Sequence, residues 1–99
     1  MSKNEDASEL GALARLVEIA HGDSGQCARV ANFLLAWWDA GRCGGFDLTD
    51  LWNVDAAIAD DMIMVMRLVC LSRGYPDAFG YGDDFEQLVA SWRPQLLAQ

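Results

Sequence analysis

Lysine is almost missing from this 99-residue chain. The single one is Lys3, against six arginines and fifteen acidic residues, and the formal net charge is −8. Tracking a phosphate backbone takes clustered cations, so direct nucleic-acid binding is excluded as a reading. Long hydrophobic runs are missing too. The block at residues 62–66 stops at Arg67, whereas a bilayer span takes about 20 apolar residues, so no membrane helix is expected. The opening MSKNEDASEL has one lysine, acids close behind it and no apolar stretch. It does not read as a signal peptide, and a cytoplasmic protein is expected. Residues 1–7 read as a disordered tail and residues 8–99 as a single helical domain.

Histidine occurs once and the three cysteines form no C-x-x-C pair. That leaves no set of ligands with zinc-site spacing, so neither a metal nor another cofactor is expected. Reduced thiols follow for a cytoplasmic chain. Cys27 and Cys70 fall within helical patterns and are expected in the core; Cys43, beside Gly44 and Gly45, is expected to be exposed. His21 follows the first helical pattern, where a positive charge suits the helix dipole, and it has no nucleophile beside it. The glycine pair has no preceding strand and no G-K-[ST] after it, so it reads as a turn. Asp60 and Asp61 are adjacent and about 100° apart on a helix, so local geometry does not make them converge. Neither DLTDLWNVDAAI nor DAFGYGDDFE has the alternating oxygen ligands of a calcium loop. With no G-x-S-x-G or H-E-x-x-H motif either, an enzyme is not expected.

What the chain has is apolar mass. Hydrophobic residues make up 53%, with four tryptophans and four phenylalanines, enough for a packed core. The organising stretch is NVDAAIADDMIMVMRLVCLSRG, residues 53–74. Asn53 or Asp55 can cap its start and Gly74 its end. Ile58, Met62, Val65 and Val69 fall at helical spacing, and Ile63, Met64, Met66, Leu68, Cys70 and Leu71 fill much of the rest. A helix apolar nearly all round is expected to be buried on more than one side. The predicted fold is therefore all-α, a compact bundle of about four to five helices around a buried central helix at about residues 54–73.

Other helices follow in order. Leu10, Leu13, Leu16, Val17 and Ala20 predict one from near Ser8 to Ala20. Asp23 or Ser24 caps a second reaching about Ala40. Asp47 caps a short helix at residues 48–52, with Phe46 and Leu51 placed as a hydrophobic staple. Residues 75–82 read as a loop whose rings pack on the core. Asp83 opens the last helix, which Arg93 and Pro94 end. Trp37 and Trp38 are neighbours about 100° apart, so one is expected in the core. The other lies near the surface, either half covered by a loop or free to anchor a partner.

Two stretches, GDSGQCARVANFLLAWWDAGRCGGFDLTDLWNVD at residues 22–55 and YPDAFGYGDDFEQLVASWRP at residues 75–94, carry a resemblance. With the helix between them they resemble a family of small uncharacterised bacterial proteins carried on plasmids, integrative elements and prophages. GGFDLTDLWN is its more specific string. The resemblance implies an accessory gene on mobile DNA and supplies no activity or binding residues.

The expected function is a non-enzymatic, acidic protein-binding module. Part of its acidity serves helix capping and solubility, but that leaves the lack of lysine unexplained. The sharper expectation is an inhibitor of a host defence complex, of anti-CRISPR type. It occupies a basic surface that otherwise binds nucleic acid, with carboxylates in place of phosphates. The contacts expected are Asp39, Asp60, Asp61, Asp77 and Asp84, with Trp37 or Trp38 as apolar anchor. The alternative is a homo-oligomeric, for instance homodimeric, structural or regulatory accessory protein of plasmid maintenance or conjugation. Its motive is the high apolar content for so small a domain.

Overall fold

Ser8 starts the first helix by accepting the Gly11 N–H on its Oγ at 3.1 Å, which satisfies one of the unpaired amides of a helix start. The structure is a computed structural model and describes residues 8–98; the tail expected at residues 1–7 lies outside them. Helix α1 (Glu9–Ala20) buries Ala12, Leu13, Leu16, Val17 and Ala20 along one stripe, while Leu10, expected on that stripe, is half exposed. Ser24 likewise caps α2 (Gly25–Cys43), its Oγ accepting the Cys27 N–H. A 3-10 turn (Leu48–Asn53) leads into α3 (Ala56–Ser72), a second one (Pro76–Phe79) into α4 (Gly82–Trp92), and a third (Pro94–Ala98) follows. Among the described residues there is no strand, and the all-α bundle is as expected.

Its centre is not where the sequence pointed. Helix α1 packs most extensively on α3 and then on α2; α4 packs on α2; α2 and α3 barely touch. One apolar cluster links all four helices, with Leu13, Leu16, Val30, Leu34, Leu35, Met62, Val65, Phe85 and Leu88 fully buried. The helix expected to be the buried post, α3, spans almost the predicted residues but is buried along a single stripe, Met62, Val65 and Leu68. Ile63 and Leu71 stand out of it at 55% and 67% exposure. The apolar stretch and the helix nearly coincide in length. The inference from an apolar girth to burial on several sides fails because only α1 lies closely against it.

Three local expectations also need correcting. The left-handed residue that ends α3 is Arg73, at φ 54, ψ 28, and not Gly74. Helix α4 begins at Gly82 with Tyr81 in the cap position; Asp83 and Asp84 stand in its first turn, where negative charge suits the dipole. The cysteines are nearly reversed. Cys43 is buried, Cys27 half-buried and Cys70 exposed, because α2 runs past Ala40 and carries Cys43 inward. Burial, and after it the Asp39 carboxylate, pushes the Cys43 thiol above its ordinary value, partly offset by Arg93 and Arg42.

Side-chain donors tie the helix ends together. The Trp92 indole N–H donates to the Ala20 carbonyl at the end of α1 at 2.8 Å. Arg93 donates from Nε to the Cys43 carbonyl at the end of α2 at 2.8 Å, and from a terminal nitrogen to Asn32 Oδ1. The Trp37 indole donates to the Gly74 carbonyl just past α3 at 2.9 Å. Terminal helix carbonyls lack partners within the helix, so the bonds to Ala20 and Cys43 satisfy two of them, and all these contacts lock the elements to one another.

Candidate functional site

Helix α2 is interrupted at Asp39. The backbone there is extended (φ −164, ψ 80), and the Asp39 carboxylate accepts the Arg42 N–H at 3.3 Å. Asp39 thus acts as an internal N-cap that restarts the helix for its last turn. That turn ends at Gly44, whose φ of 98 is in the left-handed region that glycine occupies without a Cβ clash. The bend opens a depression of about 360 Å³, lined by Trp38, Asp39, Arg42, Tyr75 and Asp77. Tyr75 reaches it because Trp37 holds the Gly74 carbonyl and so fixes the chain as it leaves α3.

This notch combines two aromatic rings, two carboxylates and one guanidinium. The Trp38 ring is half-buried and rests on the fully buried Phe85, with centroids 5.5 Å apart. It is a rigid wall. Tyr75 is 63% exposed. Aromatic faces and carboxylates together attract cations, through the ring quadrupole and through direct charge. Trp, Tyr and Arg are also the residues most enriched at binding hot spots. Arg42 and Asp39 belong to the same restarted turn, so Asp77 is the carboxylate of the notch without a backbone task.

The seven residues expected to meet a partner are divided among several places. Trp38, Asp39 and Asp77 come together in the notch. Trp37 lies behind it, edge-on to Phe85 and near Phe79; with its N–H on Gly74 it serves as a clamp. Asp61 is held by Arg15 in a two-point ion pair at 2.8 and 2.9 Å that joins α1 to α3. Asp60, next to it, is exposed. Asp84 faces His21 Nε2 at 3.1 Å, bridging the end of α1 to the start of α4. Tyr75 and Arg42 were not foreseen. Tyr75, expected among the core-packing rings of its loop, is exposed instead, and only the carbonyl clamp on Gly74 sets it apart.

A second concave surface lies between α2 and α3. It is an apolar groove of about 500 Å³, lined by Phe33, Ala36, Trp37, Phe46, Leu48, Met66, Val69 and Cys70. It exists because α2 and α3 barely touch and the segment after α2 spans only part of the gap, Phe46 packing edge-on to Phe33 at 5.2 Å. Among the described residues no three His, Cys, Asp or Glu side chains are grouped so as to hold a metal ion, and no helix is long and apolar enough to cross a membrane.

No curated protein matches the chain, and no solved structure matches it. A family does: DUF7673, a family of unknown function, matches residues 10–93. That span runs from the first turn of α1 to the end of α4 and holds both the notch and the groove, so the chain belongs to the DUF7673 family.

Proposed function

We propose that the protein is a non-enzymatic binding module that engages a basic protein surface through the notch at the α2 bend. The observation that carries this reading is the convergence of Trp38, Tyr75, Asp39 and Asp77 on one depression in a chain of net charge −8. A lysine or arginine side chain of the partner lies between the rings, with its charge against Asp77 and Asp39. The remaining unpaired acids steer the approach and make it sensitive to salt. In its sharpest form the partner is a nucleic-acid-binding complex of host defence. The protein then competes with nucleic acid for a cationic groove, as suits an accessory gene on a mobile element.

The test is affinity capture from nuclease-treated bacterial lysate at low and high salt, comparing the wild-type chain with Asp39→Asn/Asp77→Asn and with Asp60→Asn/Asp83→Asn. The reading expects a nucleic-acid-binding complex that is retained at low salt, lost at high salt and lost with the notch variant. Equal retention by the notch variant and the wild type would place the contact elsewhere.

A further inference from the structure

We infer that the notch selects a partner's basic residue that has a carboxylate beside it, and that Arg42 makes the selection. The inference rests on the notch being the partner's site, and it names the chemistry of what enters.

Arg42 stands out among the arginines. Arg15 pairs with Asp61, Arg29 with Asp50 and Arg67 with Glu9. Arg93 donates to the Cys43 carbonyl and to Asn32. Arg73 is the left-handed residue that ends α3. Arg42 is exposed and lines the notch, yet among the described residues its guanidinium has no ion pair and no hydrogen bond. Two carboxylates share the depression without neutralising it. Asp39 turns an oxygen to the Arg42 backbone N–H instead, at 3.3 Å. Asp77, on the 3-10 turn after α3, has no side-chain partner either. The base of Arg42 is anchored, by that N–H and by the buried Cys43 next to it.

A guanidinium offers five N–H donors in a planar fork that matches a carboxylate. The Trp38 ring adds one more. The Trp37 and Trp92 indoles donate to backbone carbonyls, whereas among the described residues the Trp38 N–H has no partner. The notch therefore has two halves. Ring faces and carboxylates receive a cation; Arg42 and the Trp38 N–H receive an anion.

A basic residue alone fills the first half and leaves Arg42 beside a like charge. A basic pair sets its second cation against Arg42. A basic residue with Asp or Glu next to it in the partner's chain fills both halves. Matching of this kind gives discrimination more than affinity, since one arrangement is attracted and the other repelled.

Three capped Gly-Ser peptides test this, alike except for Arg-Glu, Arg-Gln or Arg-Lys at the centre. Affinity is read from the Trp38 indole signal in two-dimensional spectra of the labelled full chain. The salt is about 0.15 M, where the Debye length is about 8 Å. The net charge of −8 by itself ranks Arg-Lys first and Arg-Glu last. The wild type is expected to reverse that order, holding Arg-Glu about two- to fivefold more tightly than Arg-Gln. Arg42→Gln keeps the backbone N–H on Asp39 and is expected to restore the order set by net charge. Arg42→Lys keeps the cation and is expected to prefer Arg-Glu still. Asp77→Asn is expected to weaken all three peptides and leave Arg-Glu first. Peptides that shift the Trp38 indole but bind the wild type in the net-charge order overturn the inference and leave the notch as a cation site. So does a preference for Arg-Glu that survives Arg42→Gln. No shift with any peptide overturns the inference and the notch reading together.

Discussion

Helices α1 and α3 pack on each other, and they could hardly be used more differently. Six of α1's twelve residues are buried, against three of α3's seventeen. Yet α3 carries the longer apolar sequence, and by composition alone it is the more hydrophobic element. Burial follows the number of neighbours a helix has, and α1 has two where α3 has one close one. Apolar residues beyond those a neighbour covers are left to line a surface. In α3, Met66, Val69 and Cys70 line the groove, and Ile63 and Leu71 stand exposed.

Substitutions on the two helices break the comparison most sharply. Leu16→Ala, at a fully buried site on α1, is expected to cost about 2–5 kcal/mol in urea unfolding. Leu71→Ala, on the exposed side of α3, is expected to stay within about 0.5 kcal/mol. If α3 were the buried post, the two would be similar.

The clamps come next. Arg93→Met removes the donors to the Cys43 carbonyl and Asn32 and is expected to cost about 1–3 kcal/mol, since polar groups are left without partners. The same loss opens the end of α2, so Cys43 is expected to react faster with a thiol reagent, while Cys70, already exposed, is unchanged.

The end of α3 yields a smaller effect of opposite sign. A left-handed arginine is strained where glycine is not, so Arg73→Gly is expected to stabilise by about 1 kcal/mol. Gly74→Ala is expected to be nearly neutral, because a Cβ there meets only ordinary contacts, the closest at 3.8 Å. The reverse pattern would move the cap back to Gly74.

The smallest effect is at Asp47. Its carboxyl is held below the ordinary 3.8 by the Thr49 hydroxyl first and the Thr49 N–H second. A lowered folded pKa means stabilisation that is present above the unfolded value and disappears as pH falls through the folded one. Thr49→Val removes the hydroxyl. The stability difference from the wild type is therefore expected at pH 7 and expected to vanish in strong acid, read by urea unfolding at each pH.

Much of the bundle was legible because its signals are local. Ser8, Ser24 and Asp47 cap the helices they precede, and Pro94 ends α4 where the residue before a proline should. What the sequence hid depends on partners distant in the chain. Cys43 is buried because Asp39 restarts α2. Asp61 was read as a free contact, but Arg15, 46 residues away, holds it. The notch was half legible. Trp38, Asp39 and Asp77 were singled out for charge and ring type, but nothing local joins Asp77 to the α2 bend. That link is made by the Trp37–Gly74 hydrogen bond, across 37 residues.

The central claim is that cations are received at that bend. The most direct measurement is the two-dimensional amide and indole spectrum of labelled protein titrated with an arginine- and lysine-rich peptide. The account predicts saturable shifts at the Trp38 indole and at the amides of Asp39, Tyr75 and Asp77, lost in Asp39→Asn/Asp77→Asn. Shifts spread evenly over Asp60, Asp83 and Glu86, or none at the bend, would contradict it and leave the acids as caps and solvation.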